Sequence, residues 1–394
     1  MTDARPHLVH RFVLGVALLA IVLGAPAVAQ QHLKTYNTKY YIIHTDLPAD
    51  AVREAELRIT AMAEEYYQRT KGFGGVISKK FDLHLFSRPE DYAAAGGLPG
   101  TVGVYNPSAR SLMAIARPDS EATWYVVQHE GFHQFLHNVV GGQIPIWINE
   151  GLADYFGISI YTGDGYVMGI VPPLRLAALK SWIESGKALT VEKMMQMPHE
   201  LWNLQLGDAG KSSVNYDQAW SMVHFLAHGD GGRYQDAFNG FLRSVSRGAK
   251  WEQAWVANFG AGTREFEQRW RKYWLDMPAE GSVERYAQAA VQTLTSFYAR
   301  AFSQKQVFGA WEEFCEAAKA GQLKYHRDDW LPPALLEAAL PNAERLGDWQ
   351  IRKRTRYELV CRLDDGREVV GTFQVNAGRV KRDAVQAQIR PARP

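Results

Sequence analysis

Within residues 126–137, VVQHEGFHQFLH, three histidines recur at four-residue intervals and a glutamate follows the first of them. His129, Glu130 and His133 spell H-E-x-x-H. On a helix, residues four apart stand only about 40° apart around the axis, so the imidazoles of His129 and His133 can reach one cation. Glu130 stands about 100° round from His129, where it can face a water beside that cation, as a general base must. His137 continues the stripe, but a straight helix carries it about 12 Å from His129 along the axis, too far to share an ion, so it is expected to be structural. The longer zinc pattern H-E-x-x-H-x-x-G-x-x-H is excluded: Leu136 occupies its glycine position and Val139 its third histidine position.

A third ligand must come from another segment. IPIWINEGLADYF (144–156) follows a GGQIP break and starts a new helix, with Glu150 in its first turns and Asp154 four residues on. A carboxylate from a second helix completes a His-His-Glu set with a fourth position open, the arrangement that catalytic zinc needs. Asp154, on the same helix face, can accept a hydrogen bond from the outer nitrogen of a ligand histidine and fix its tautomer. Read without the first motif, Glu150 would simply be a carboxylate at the positive end of a helix dipole.

HEGFH followed by NEGLAD resembles the gluzincin metallopeptidases, the thermolysin-like group of the peptidase MA clan, whose pattern is H-E-x-x-H and then N-E-x-x-x-D. Within that group HEGFHQFLH, IPIWINEGLADYF and YDQAWSMVHFL look like the bacterial peptidase-MA-like proteins of largely unknown function, with a common layout over about residues 37 to 275. The resemblance implies one Zn2+ per chain, held by His129, His133 and Glu150, with Glu130 as base and Asp154 behind His129. It also implies an oxyanion donor from a later helix. NYDQAWSMVHFLAH (215–228) offers Tyr216 and His224, of which the resemblance favours Tyr216, while His224 and His228 are expected to be structural. The chain lacks the G-x-M-E-N sequence by which zinc aminopeptidases of this clan bind a free amino terminus, which weakens an aminopeptidase assignment.

These residues need a scaffold, and the pattern predicts an α+β one. KYYIIHTDL (39–47) and KKFDLHLFS (79–87) have strand character, and 48–70 has helical apolar spacing. TVGVY and SLMAIAR, separated by YNPSAR (105–110), predict a hairpin, and SLMAIAR (111–117) is expected to be the edge strand along which substrate lies. After the site, helical spacing recurs over 173–186, 214–228, 233–246, 250–258 and 262–275. The expected organisation is thus a gluzincin-type domain over 30–280, with a small mixed sheet, an active-site helix and a mainly helical second half. A C-terminal region over 281–394 follows, with a helical stretch (283–320) and a small β module. There TRYELVCRL and REVVGTFQV, joined through DDG, predict a hairpin.

Residues 1–29 have the form of an export signal: Arg5 and Arg11, the apolar run FVLGVALLAIVLG, then APAVA with cleavage expected after Ala29. The mature chain is therefore expected in the periplasm or outside the cell, with no stable membrane span. Cys315 and Cys361 are the only cysteines, and sequence leaves open whether they pair. Over 394 residues the formal charge is +2, too small to point to a nucleic-acid partner. Residues 351–394 hold eleven Lys or Arg against five Asp or Glu, so an anionic envelope surface is a candidate partner for that module, beside the plainer account of a solvated basic face.

The function expected from these parts is an exported zinc metallopeptidase, an endopeptidase acting on peptides or proteins: zinc activates water and polarises the scissile carbonyl, and Glu130 moves the proton. A zinc amidase acting on cell-wall peptides shares this chemistry. A non-catalytic envelope protein with a structural metal site is the third alternative, although such a site has no use for a base at Glu130.

Overall fold

A computed structural model describes residues 33–117, 121–141, 144–205, 209–260, 262–353 and 357–391. The segment expected to be an export signal, 1–29, lies outside the described residues, and among the described residues no helix is long and apolar enough to cross a membrane. The architecture is α+β.

The N-terminal half opens with β1 (Lys34–Asn37), β2 (Tyr41–Thr45), α1 (Ala49–Thr70), β3 (Phe81–Phe86), α2 (Pro89–Ala94), β4 (Gly103–Asn106) and β5 (Ser111–Ile115). They form one mixed sheet in the order β1-β2-β3-β5-β4, parallel at β2–β3 and β3–β5 and antiparallel at both margins. Strict alternation decides which face is covered. Tyr41, Ile43, Phe81, Leu83 and Leu85 are buried, and they share a core with the apolar stripe Val52, Ala55, Ile59, Met62 and Tyr66 of α1. The β4–β5 turn is closed by Asn106, whose side-chain oxygen accepts the Ser108 and Ala109 amides. The 111–117 segment, expected to be the edge strand, lies instead inside the sheet, between β3 and β4, and the edge beside the histidine helix is β4. The parallel β3–β5 pairing, made only after the chain has passed through α2 and β4, puts it there.

The histidine helix α3 (Glu121–Phe135) runs under β4 and β5 and ends in a π-helical turn, Leu136–Val140. The ligand-bearing helix α4 (Ile146–Gly157) follows, then a two-stranded ribbon, β6 (Ile160–Tyr161) and β7 (Tyr166–Val167). A helical layer then closes over α4: α5 (Pro173–Glu184), α6 (Val191–Gln196), α7 (His199–Gln205), α8 (Ala209–His228), α9 (Gln235–Ser246), α10 (Trp251–Phe259) and α11 (Thr263–Asp276). α4 and α8 cross closely because Gly151 has no side chain. A Cβ there would stand 2.6 Å from the Ala219 carbonyl oxygen.

The helical stretch expected over 283–320 is two helices, α12 (Val283–Ser303) and α13 (Trp311–Lys319), broken where Lys305 takes a positive φ of 61°. After α14 (Pro333–Ala343) come β8 (Asp348–Lys353), β9 (Tyr357–Arg362), β10 (Glu368–Thr372), the short pair β11 (Val375–Asn376) and β12 (Arg379–Val380), and β13 (Gln386–Arg390). The expected hairpin is β9–β10, at the centre of a four-stranded sheet ordered β13-β10-β9-β8, with α12 packed on it. α12 also meets the β6–β7 ribbon: Arg300 grips Asp164 in a buried two-pronged pair, at 2.7 and 2.8 Å, and Ala289 packs with Val167 and Ile170. Cys315 and Cys361 are both free thiols. Much of the basic charge of the last segment is paired, as in Arg352–Glu368, Arg367–Glu284 and Arg379–Asp328.

Candidate metal centre

The two helices bring three ligand-type atoms to one point. Nε2 of His129 and Nε2 of His133 are 3.1 Å apart, and each is 3.5 Å from Oε2 of Glu150. Around an ion with bonds of about 2.0–2.1 Å, the edge of a ligand tetrahedron is about 3.3–3.4 Å, so the three separations suit one small cation. The donor chemistry agrees. His133 Nδ1 lies 2.8 Å from the side-chain oxygen of Asn149, and His129 Nδ1 stands 2.9 Å from Oδ1 of Asp154. Both partners favour a proton on Nδ1, which turns the lone pairs of the two Nε2 atoms towards each other and towards the carboxylate. Glu150 Oε2 is buried and, among the described residues, has no hydrogen-bond partner. A buried carboxylate oxygen facing two imidazole lone pairs calls for a cation. His129, His133 and Glu150 form a buried group able to hold a metal ion.

The surrounding charges reinforce this. Burial opposes protonation of His129, yet Asp154 and Glu150 hold its pKa up, at about 10, so the carboxylates retain a positive charge here, a proton on Nε2 that an incoming metal ion would displace. Burial works to raise Glu150, yet His133 and His129 draw it down to about 2. Asp154 is also buried, and Arg175 together with His129 keeps it well below the usual carboxylate range. Arg175, from α5, pairs through Nη2 with Asp154 and through Nε with Asp217 on α8, and it stacks over Trp220 at 4.5 Å. Tyr125 donates its hydroxyl to Asp154 Oδ1 at 2.6 Å. Of this frame, Asn149 is the first residue of the N-E-x-x-x-D motif, whereas Tyr125, Arg175 and Asp217 lie outside both motifs.

Beside the trio lies a cleft of about 1000 Å³, lined by Glu130, His133 and Glu150 among others. Glu130 Oε2 accepts the backbone N–H of Tyr105 at 2.9 Å, which ties the carboxylate to the edge strand. Along β4, the Val102 carbonyl accepts the Ile115 amide, so residues 102, 104 and 106 face β5 while Gly103 and Tyr105 present their backbone groups outward. Gly103 is required there because a Cβ would meet Val126 Cγ1 of α3 at 2.3 Å. Met195, Met197, Val245 and Trp251 supply an apolar part of the lining.

His137 is outside the ligand trio, as expected, but lines the cleft. Tyr216 packs its ring 6.5 Å from that of His129, is buried and does not line the cleft; its hydroxyl accepts the Trp202 indole N–H at 3.4 Å. His224 donates from Nε2 to the Gly169 carbonyl at 3.3 Å, and His228 Nε2 lies 2.9 Å from the Tyr155 hydroxyl, both away from the trio.

The model of a family described as a protein of unknown function, DUF1570, matches residues 123–251. That span runs from α3 to the first residue of α10, and includes all three ligand-type residues and Glu130. No curated protein matches the chain.

Proposed function

We propose that the chain is a zinc-dependent metallopeptidase of the gluzincin type, with His129, His133 and Glu150 as ligands and Glu130 as general base. The observation that carries the reading is the meeting of the three ligand atoms within 3.1–3.5 Å, beside a cleft into which a carboxylate from the same helix also faces. Zinc held there supplies Lewis acidity, which makes water nucleophilic near neutral pH and polarises a peptide carbonyl. Asn149 and Asp154 orient the two imidazoles. Tyr105 N–H holds Oε2 of Glu130, leaving Oε1 to take a proton from the attacking water and return it to the leaving amine. An extended substrate pairs with the outward groups of β4, the N–H and C=O of Gly103 and the C=O of Tyr105. Tyr216, the oxyanion donor the resemblance favours, packs against His129; its oxygen accepts the Trp202 indole N–H, which leaves its own O–H proton to donate, and in this conformation it does not line the cleft.

The test is Glu130→Gln. Zinc per chain, read by elemental mass spectrometry, should stay near one, and hydrolysis of a quenched-fluorescent peptide mixture should fall by about 10²–10⁴-fold. Unchanged hydrolysis would sink the base assignment, and a chain that takes up no zinc would sink the metal centre.

A further inference from the structure

His137 has a feature that its expected structural role does not use. It sits in the π-helical turn after α3, a departure from α geometry that often accompanies function. Its Nδ1 lies 2.7 Å from the Tyr105 hydroxyl. That hydroxyl already accepts Asn138 Nδ2 at 3.2 Å, and Asn138 Nδ2 is itself anchored on the Gln134 carbonyl at 2.7 Å. We assign the phenol proton to Nδ1 of His137, since the phenol oxygen already accepts Asn138, and this places the ring hydrogen on Nε2. His137 is exposed and lines the cleft, so this arrangement turns one side of the ring, through a chain of hydrogen bonds anchored on α3 and the edge strand, into a hydrogen-bond donor for whatever occupies the cleft.

The charge of the cleft says what that occupant is. Among the described residues, its only acidic lining groups are Glu130 and Glu150, both engaged in the chemistry proposed above. The other ionisable lining groups beside the ligand His133 are His137, His199, Lys250 and the Tyr105 phenol, none of which bears a negative charge. Lys250, exposed immediately before α10, has no ion-pair partner among the described residues. Among the groups that line the cleft, a divalent cation, one carboxylate ligand and one carboxylate base sum to no net charge, so the ammonium of Lys250 is the unbalanced charge that meets an occupant and favours an anion; the Asp154–Arg175–Asp217 cluster lies behind His129 and does not line the cleft.

We propose that the cleft selects peptides that carry a carboxylate near the scissile bond, with Lys250 supplying the counter-charge and His137 the oriented donor. This rests on the peptidase reading for its geometry, but the carboxylate preference is tested by binding. The carboxylate has two sources, an acidic side chain or the free C-terminus of the substrate. The probe is a set of four fluorescent peptides of one sequence, with Glu or Gln at a single internal position, each ending in a free acid or an amide. Binding to zinc-loaded Glu130→Gln protein is measured by anisotropy; that substitution itself adds one positive charge to the cleft, so each further variant is compared with Glu130→Gln alone, and cleavage by the unaltered protein is followed in parallel.

Carboxylate peptides should bind about tenfold more tightly than the neutral one, an advantage reduced by salt. Tightening by Glu alone assigns the side chain; tightening by the free acid alone assigns the C-terminus. Lys250→Gln and His137→Gln, each combined with Glu130→Gln, should shrink the advantage several-fold. Equal affinities across the four peptides, or an advantage that neither Lys250→Gln nor His137→Gln diminishes relative to Glu130→Gln alone, overturn the inference even if every peptide is cleaved. A preserved carboxylate preference without any cleavage leaves it standing and removes the peptidase reading instead.

Discussion

Replacing Arg175 by methionine removes the guanidinium that lies between Asp154 and Asp217. The side chain is only 15 % exposed and Asp154 only 1 %, so water cannot easily take the place of the lost charge. Breaking a buried ion pair from one side costs about 3–5 kcal/mol, because the partner is left charged in a poor solvent. Unfolding entropy of about 2.1 cal/mol/K per residue turns that into a fall in Tm of roughly 4–6 °C for a chain of 394 residues that melts as one unit. The metal centre should feel the same loss, since Asp154 would no longer be held against His129, and outer partners of this kind are worth about 10–100-fold in metal affinity. Calorimetry and zinc competition against a chromophoric chelator read the two effects. Arg175→Lys, which can reach one carboxylate at a time, should lose about half as much stability. Asp217, pushed up to about 6 by burial against the pull of Arg175, identifies the second source of strain, so adding Asp217→Asn to Arg175→Met should recover part of the Tm. An Arg175→Met protein whose Tm moves by less than about 1 °C and whose zinc affinity is unchanged would refute the claim that this network holds the ligand helix.

Three further outcomes can be checked with the same preparations. Gly151→Ala drives a methyl group into the Ala219 carbonyl, and the displaced α4 should cost about 1–3 kcal/mol in urea unfolding and weaken zinc binding, since Glu150 is the neighbouring residue. Acid should destabilise the protein through His84, whose pKa is lowered to about 4 by burial and by stacked His44. The unfolded imidazole takes a proton below about 6.5 while the folded one does not, so this contribution is complete above that pH and falls as pH drops towards 4; at pH 5 the loss is about 2 kcal/mol, and His84→Gln should remove about that much of the pH 7 to pH 5 difference. Stripping zinc with a chelator should lower the Tm by an amount that scales with the logarithm of free zinc in the reference sample, and no shift at all would mean that the trio binds no ion in the folded state.

Both site motifs were legible because each lies within a single helix, where spacing in sequence is spacing in space. Their meeting could be argued from chemistry alone, since two histidines without a carboxylate make an incomplete set. The frame around them was not legible. Arg175 reaches Asp154 from 21 residues away, and the Tyr105 amide reaches Glu130 from 25 away, and no local pattern encodes such contacts. The edge strand was misplaced for a related reason. The β4 and β5 sequences are both short apolar runs, and which of them is inner depends on the parallel pairing of β5 with β3. In the C-terminal sheet the central β9–β10 hairpin was visible through its alternation and turn, whereas the margins β8 and β13 carry polar sequences, DWQIRK and QAQIR, that only half commit to a core.

The grip of α12 on the ribbon after α4 bears on how such a chain can change over evolutionary time. One face of α12 belongs to the C-terminal sheet, while Arg300 and Ala289 reach back to Asp164, Val167 and Ile170. A recombination event with its breakpoint near residue 280 would keep every ligand and the base, but would strand a buried carboxylate and an apolar patch a few residues beyond the ligand helix. The candidate metal centre and the C-terminal region are in that sense physically coupled: a transplant that works must carry the ribbon and α12 as one piece, or rewrite both surfaces at once.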